Sequence, residues 1–274
     1  MKPKLLIILS LFMFTIQSQA FAGLKVSCSM FPVYDFTREV ARDRTEVSLV
    51  MKPGTEPHAF EPSAGDVKAL HDADAFVFTG RMMEHWADRI ADTLTDTRIV
   101  DASEGITLTG NDPHIWLDLE RAQKMVMNIC RGLCGADPDN ADTFTRNAEE
   151  YCRKLAELDA EFAALPHTKA LVFAGEFSAL YFVRRYGFDY VSAYEGENEP
   201  GIRRMAEVIR YIRENGVRYV FADYGAVPQV TRSIADQTGA EILTFCTAHN
   251  VPQNTSFLQL MRDNLDNLKR FLND

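Results

Sequence analysis

Apolar residues along this chain follow two alternating rhythms. Short runs rich in valine, leucine, isoleucine and phenylalanine occur at residues 24–29, 46–50, 75–79, 98–101, 170–174, 190–193, 218–222 and 241–245. Brief apolar runs bounded by polar residues read as strands buried on both faces. Between them, apolar positions recur at steps of three and four over 33–41, 63–71, 82–94, 119–134, 178–186, 202–215, 227–238 and 255–272. That is the spacing of amphipathic helices. Strands alternating with helices predict mainly parallel sheets flanked by helices on both faces. The alternation occurs once before residue 138 and again after residue 166. The expected fold class is therefore α/β, with two lobes.

A single long helical pattern separates the two series. Pro138, Asp139 and Asn140 open it, and Pro166 closes it. Phe144, Ala148, Tyr151, Cys152, Leu155, Leu158, Phe162 and Leu165 form one stripe along it. A helix of about 26 residues spans roughly 39 Å, enough to cross both lobes as a stiff spine. The expected division is 1–22 as a leader, 23–138 as the N-terminal lobe, 139–165 as the spine and 166–274 as the C-terminal lobe.

The leader changes the setting. Lys2 and Lys4 precede an apolar run from Leu5 to Ile16, and Ala20-Phe21-Ala22 gives a small-x-small site before Gly23. This reads as a secretory signal peptide cleaved after Ala22, and places the mature chain in the bacterial periplasm. Lys25, three residues before Cys28, argues against a lipid attached at that cysteine. The formal charge is −10, from 29 basic and 39 acidic residues. Without the two leader lysines the balance is 27 minus 39, or −12. Such a chain does not suit nucleic acid or anionic lipid, and it attracts cations. The five cysteines, Cys28, Cys130, Cys134, Cys152 and Cys246, are an odd number, so at least one stays unpaired within the chain. A Cys130–Cys152 pair between consecutive helices is the candidate disulfide.

Candidate chemistry centres on histidine. His58 lies in Glu56-Pro57-His58 and His114 in Asp112-Pro113-His114. Each follows a stiff proline ring at the entrance to a new element, and neutral imidazole is the commonest metal ligand. His249 follows the apolar run 241–245, in the loop position where open α/β sheets place their ligands. Glu176 stands just past the run 170–174, followed by the apolar Phe177, Ala179 and Leu180. It either serves a ligand there or caps the helix that follows. His71, His85 and His167 sit in polar surroundings and read as solvated surface residues.

These motifs resemble the metal-binding solute-binding proteins of bacterial ABC transporters, which capture zinc or manganese. The similarity is carried by 53–58 with Glu61-Pro62, by Ala73-Asp74-Ala75 leading to Gly80 and Glu84, by 112–118, and by the spine with Asn147, Tyr151 and Leu155. The resemblance implies one ligand from each of four loops, two per lobe: His58, His114, Glu176 and His249. Glu176 is placed by its position five residues before Tyr181-Phe182. The fourth position is usually aspartate in that family, and His249 departs from the pattern. Asp223 and Glu61 are the reserve ligands or supporting acids. Three imidazoles and a carboxylate suit Zn2+, with Mn2+ as the alternative. The implied function is capture of the ion as cargo by a monomer and delivery to a membrane permease. Movement of the C-lobe ligands about the spine would release the ion, and affinity would fall below about pH 6 as imidazoles protonate. A site closed by four protein ligands leaves little room for a reactive water, so an enzyme is not expected. The rival readings are a receptor for a metal chelate such as a siderophore or haem, a secreted zinc hydrolase with Glu176 as general base, and a surface adhesin.

Overall fold

The computed structural model describes residues 23–52, 54–194 and 200–273, so the expected signal peptide lies outside the described residues. Four strands build the first lobe: β1 (Leu24–Cys28), β2 (Thr45–Leu49), β3 (Ala75–Phe78) and β4 (Arg98–Asp101). They pair in the order β2-β1-β3-β4, all parallel. The second lobe repeats the arrangement with β5 (Leu171–Phe173), β6 (Tyr190–Ser192), β7 (Tyr219–Ala222) and β8 (Glu241–Thr244), in the order β6-β5-β7-β8 and again all parallel. The inner strands β3 and β7 are buried at every residue, whereas the edge strand β2 has no fully buried position. Inner strands of a sheet covered by helices need apolar side chains on both faces, which is why their sequences read as unbroken runs.

The helices are α1 (Phe31–Ala41), α2 (Ala64–His71), α3 (Ala87–Ala91), α4 (Leu119–Ala136), α5 (Ala141–Ala163), α6 (Leu180–Tyr186), α7 (Ile202–Glu214), α8 (Gln229–Thr238) and α9 (Phe257–Leu272). The long connecting helix is α5, entered through a tight 3-10 turn at Pro138–Asn140. Its 23 residues extend about 35 Å. Phe144, Ala148, Tyr151, Leu155, Leu158 and Phe162 are its buried stripe. The stripe packs on α1 and α4 from the first lobe and on α9 from the second. One hydrophobic core therefore runs unbroken through both lobes, with smaller clusters on the outer faces. Asp35 on α1 fastens the join: its carboxylate accepts the Phe257 N–H at the start of α9 at 2.9 Å. Burial pushes this carboxyl up to about 6. Among the described residues no helix is long and apolar enough to cross a membrane.

Two sequence expectations change. The pattern over 82–94 yields only the short α3, because Glu84 is folded inward instead of lying on a helix surface. Glu84 is fully buried. Its carboxylate accepts the Ser29 hydroxyl at 2.5 Å and the Thr79 and Gly80 N–H groups at 3.1 and 3.0 Å. This ties the end of β1 to the turn after β3. The expected Cys130–Cys152 disulfide is also absent, since all five cysteines are free. Cys130 leans instead toward Cys134, one helical turn on, with its Sγ 3.9 Å away, and the Cys152 thiol faces the Gln123 carbonyl at 3.6 Å. Burial raises the Cys28, Cys130 and Cys246 thiols to about 12 and Cys152 to about 11, which keeps them protonated and unreactive.

Burial lifts the Glu84 carboxyl to about 7 from an ordinary 4.5. A carboxyl that binds its proton more tightly when folded adds stability below about pH 4.5, and that contribution is lost as the pH rises through about 7. Glu84→Gln cannot titrate. In chelator, the stability advantage of the native chain over Glu84→Gln should be larger at pH 5 than at pH 8, by about 2–3 kcal/mol. Denaturant titrations at the two pH values measure the difference, and an advantage that grows toward pH 8 would reverse the sign argued here.

Candidate metal centre

Each histidine of the two Pro-His motifs is fixed by the acid two residues before it. The Glu56 side chain accepts the His58 backbone N–H at 3.2 Å, and Asp112 accepts that of His114 at 2.9 Å. His58 sits in a 3-10 turn at Pro57–Ala59 after β2, and His114 immediately precedes another at Ile115–Leu117. Asp112 does more: its Oδ1 also accepts a hydrogen bond from His114 Nδ1 at 2.6 Å. With Nδ1 as donor, the Nε2 of His114 keeps a free lone pair. This is the carboxylate-imidazole arrangement that orients metal-binding histidines and raises their basicity. The repeated acid-proline-histidine pattern carried this signal in the sequence, although neither Glu56 nor Asp112 was assigned a role there.

His249 arrives from the other lobe, in the loop after β8. That loop is held at several points. Trp116 Nε1 donates to the Thr247 carbonyl at 2.8 Å. The Asp223 carboxylate accepts the Thr247 N–H at 2.9 Å and, in a short contact, the Thr247 hydroxyl. Asn264 on α9 brackets Cys246, accepting its N–H at 2.7 Å and donating to its carbonyl at 2.8 Å. Ala248 is forced into the left-handed region, with φ of +68°. Such strain persists only where the surroundings determine the backbone, and here the pins on either side of Ala248 aim His249 inward.

The three rings converge. Their centroids lie 5.5 Å apart for His58 and His114, 5.8 Å for His58 and His249, and 4.8 Å for His114 and His249. One ring nitrogen from each falls within 4.8 Å of the other two. A tetrahedral zinc holds its nitrogens about 3.3 Å apart, so small rotations bring all three onto one ion. The Nε2 atoms of His114 and His249 are buried with no hydrogen-bond partner. Buried polar atoms in that condition call for a ligand to explain them. Burial, then the neighbouring His114 and His58, holds His249 well below its ordinary value. It is therefore neutral at pH 7 and needs to shed no proton to coordinate a cation.

The other expected positions fall outside this triad. Glu176 is half-buried just beyond β5, but it is not among the mutually close ligand atoms. Nor does it cap α6, which starts at Leu180 with Ala179 as its N-cap residue. Gly175 beside it packs closely on β7, where a Cβ would meet the Ala222 Cα at 3.3 Å. Asp223 spends its oxygens on Thr247 and on the Tyr224 N–H at 2.7 Å, so it anchors the His249 loop. Burial raises its carboxyl, against the pull of those hydrogen bonds. Glu61 lies at the surface, paired to Arg89 at 2.8 Å. His71, His85 and His167 are exposed.

Residues 26–271 match the family described as zinc-uptake complex component A, periplasmic, ZnuA. The chain belongs to that family. This ZnuA-family chain is 30% identical to the zinc-binding protein AdcA of Streptococcus pyogenes serotype M6, over 98% of its own length and 61% of that protein's. It thus spans about three fifths of the curated relative. With the high-affinity zinc uptake system protein ZnuA of Bacillus subtilis it shares 27% identity, over 90% of this chain and 86% of the other. The two-lobed fold is that of the Zn(II)-bound ZnuA-like domain of Streptococcus pneumoniae AdcA, with a TM-score of 0.80 and 30% identity over 92% and 100% of the two chains. It is equally that of the laminin-binding protein Lmb of Streptococcus agalactiae, described as an adhesin with metal-transporting activity, at a TM-score of 0.82 and 30% identity over 91% and 100%.

Proposed function

We propose that this chain captures a single zinc ion in the periplasm and delivers it to an ABC transporter permease. The convergence of three imidazoles from two lobes, with buried and unpartnered Nε2 atoms on His114 and His249, is the observation that carries this reading. Nitrogen-rich donors favour zinc over manganese, and so does the general order of divalent affinities. Glu176, just beyond β5 in the second lobe, is the proposed fourth ligand. All four groups belong to one chain, which supports action as a monomer. Because His58 and His114 come from one lobe and His249 and Glu176 from the other, affinity depends on how the lobes are set. A permease that shifted the C-lobe loops would release the cargo.

The test is metal content. Protein purified without chelators should carry about one zinc per chain, and a large excess of manganese should fail to displace it. Chain that takes up no zinc, or exchanges it freely for manganese, removes the reading. Three imidazoles with an open position is also the ligand set of hydrolytic zinc sites. Hydrolysis of an activated ester by the zinc-loaded chain, lost in His114→Ala, would favour that alternative.

A further inference from the structure

We infer that Tyr181, on the far lobe from His114, is a positioning residue that holds Asp112 against the His114 ring. This rests on the metal-capture reading only for its effect on zinc. Tyr181 lies on α6 and is 2% exposed. Its hydroxyl accepts the Thr109 N–H at 2.7 Å and donates to the Asp112 carbonyl at 3.2 Å. These two residues are the ends of one tight turn. Asp112 N–H donates to the Thr109 carbonyl at 3.3 Å, the pair forms an isolated antiparallel bridge, and Gly110 between them is left-handed at φ +60°. A single phenol therefore closes both ends of the turn. From the end of that turn the Asp112 carboxylate reaches back to the ring of His114.

The tyrosine is itself held. The Arg121 guanidinium lies over its ring, 4.9 Å from the centroid, and is paired with Asp118, which caps α4. The Asp112 carboxylate is committed to His114, its N–H to the Thr109 carbonyl and its own carbonyl to Tyr181. Loss of the hydroxyl would leave the Thr109 N–H and Asp112 carbonyl without their buried partner and free the turn to move. The carboxylate would then no longer select the Nδ1-protonated form of His114. The chemistry gives α6 of the second lobe a hold on a ligand of the first.

Two readouts test this. In the metal-free chain, nitrogen NMR of the imidazoles should show His114 in the Nδ1-protonated form, and in Tyr181→Phe as a mixture of tautomers. Zinc affinity, measured by competition with a chromophoric chelator, should fall about tenfold in Tyr181→Phe, within the range seen when a ligand's supporting partner is lost. Asp112→Asn should weaken binding too, and adding Tyr181→Phe to it should cost less than about a further twofold, because both act through one contact. An unchanged tautomer, an unchanged zinc affinity, or losses that multiply in the double variant overturn the inference. Should Tyr181→Phe fail to fold, Gly110→Val decides on the same criteria. A Cβ at that position meets nothing within 4 Å, and the β-branched valine disfavours the left-handed backbone of the same turn. If the native chain binds no zinc, the capture reading fails, and the tautomer comparison alone decides the role of Tyr181.

Discussion

His249→Ala should lower zinc affinity by about a hundredfold and leave the metal-free fold intact. The size follows from the whole. Binding of zinc by four protein ligands is worth about 10–16 kcal/mol, or about 3 kcal/mol for each ligand, and each 1.4 kcal/mol is a factor of ten. The metal-free fold is spared because the imidazole Nε2 of His249 makes no hydrogen bond whose loss would strand a partner. The loop around it is pinned through Thr247 and Cys246, neither of which is altered. Chelator competition gives the affinity, and melting in chelator gives the fold. Wild-type affinity in the variant would remove His249 from the ligand set. A large drop in the metal-free midpoint would show that its role is packing.

Trp116→Ala should be the most damaging single substitution for stability near the site, at about 3–5 kcal/mol. The indole is fully buried. It stands between the two lobes' histidines, with ring centroids 5.3 Å from His114 and 5.6 Å from His249. Its N–H holds the Thr247 carbonyl of the opposite loop. Truncation therefore opens a cavity and releases a buried carbonyl at once. Trp116→Phe separates the two contributions, since it keeps most of the packing and loses only the hydrogen bond, worth about 1 kcal/mol. Denaturant titration of the metal-free variants measures both. Equal losses in the two would mean that the hydrogen bond, and not the packing, carries the effect.

How much of this was readable in the chain depends on the range of the interaction. All eight strands were visible, because a buried parallel strand declares itself in a few consecutive residues. The stripe on α5 was equally plain, since its spacing is local. The pattern over 82–94 misled because Glu84 finds its partner Ser29 at a distance of 55 residues, and no local periodicity reports that. The disulfide expectation failed on a similar point: the facing of Cys130 and Cys152 depends on how α4 and α5 are rotated against each other. At the candidate metal centre, the turn chemistry around His58 and His114 and the place of His249 after a strand singled out the three histidines that the fold brings together. The contact between Asp112 and the His114 ring, two residues apart, needed the side-chain geometry. The hold of Tyr181 on Asp112, 69 residues away, had no local signature at all. Glu176 was placed at the mouth of a strand by sequence, but which way a side chain turns there is decided by neighbours from other loops.

The apolar interior that passes through α5 without a break has a consequence for the life history of the molecule. Neither half owns a complete inside. A ribosome that has finished only the first sheet has made a fragment with Phe36 still lacking Phe257, the partner it meets edge-on at 4.9 Å. Such a nascent segment keeps apolar surface uncovered until α9 is made and docks on α1 and α5.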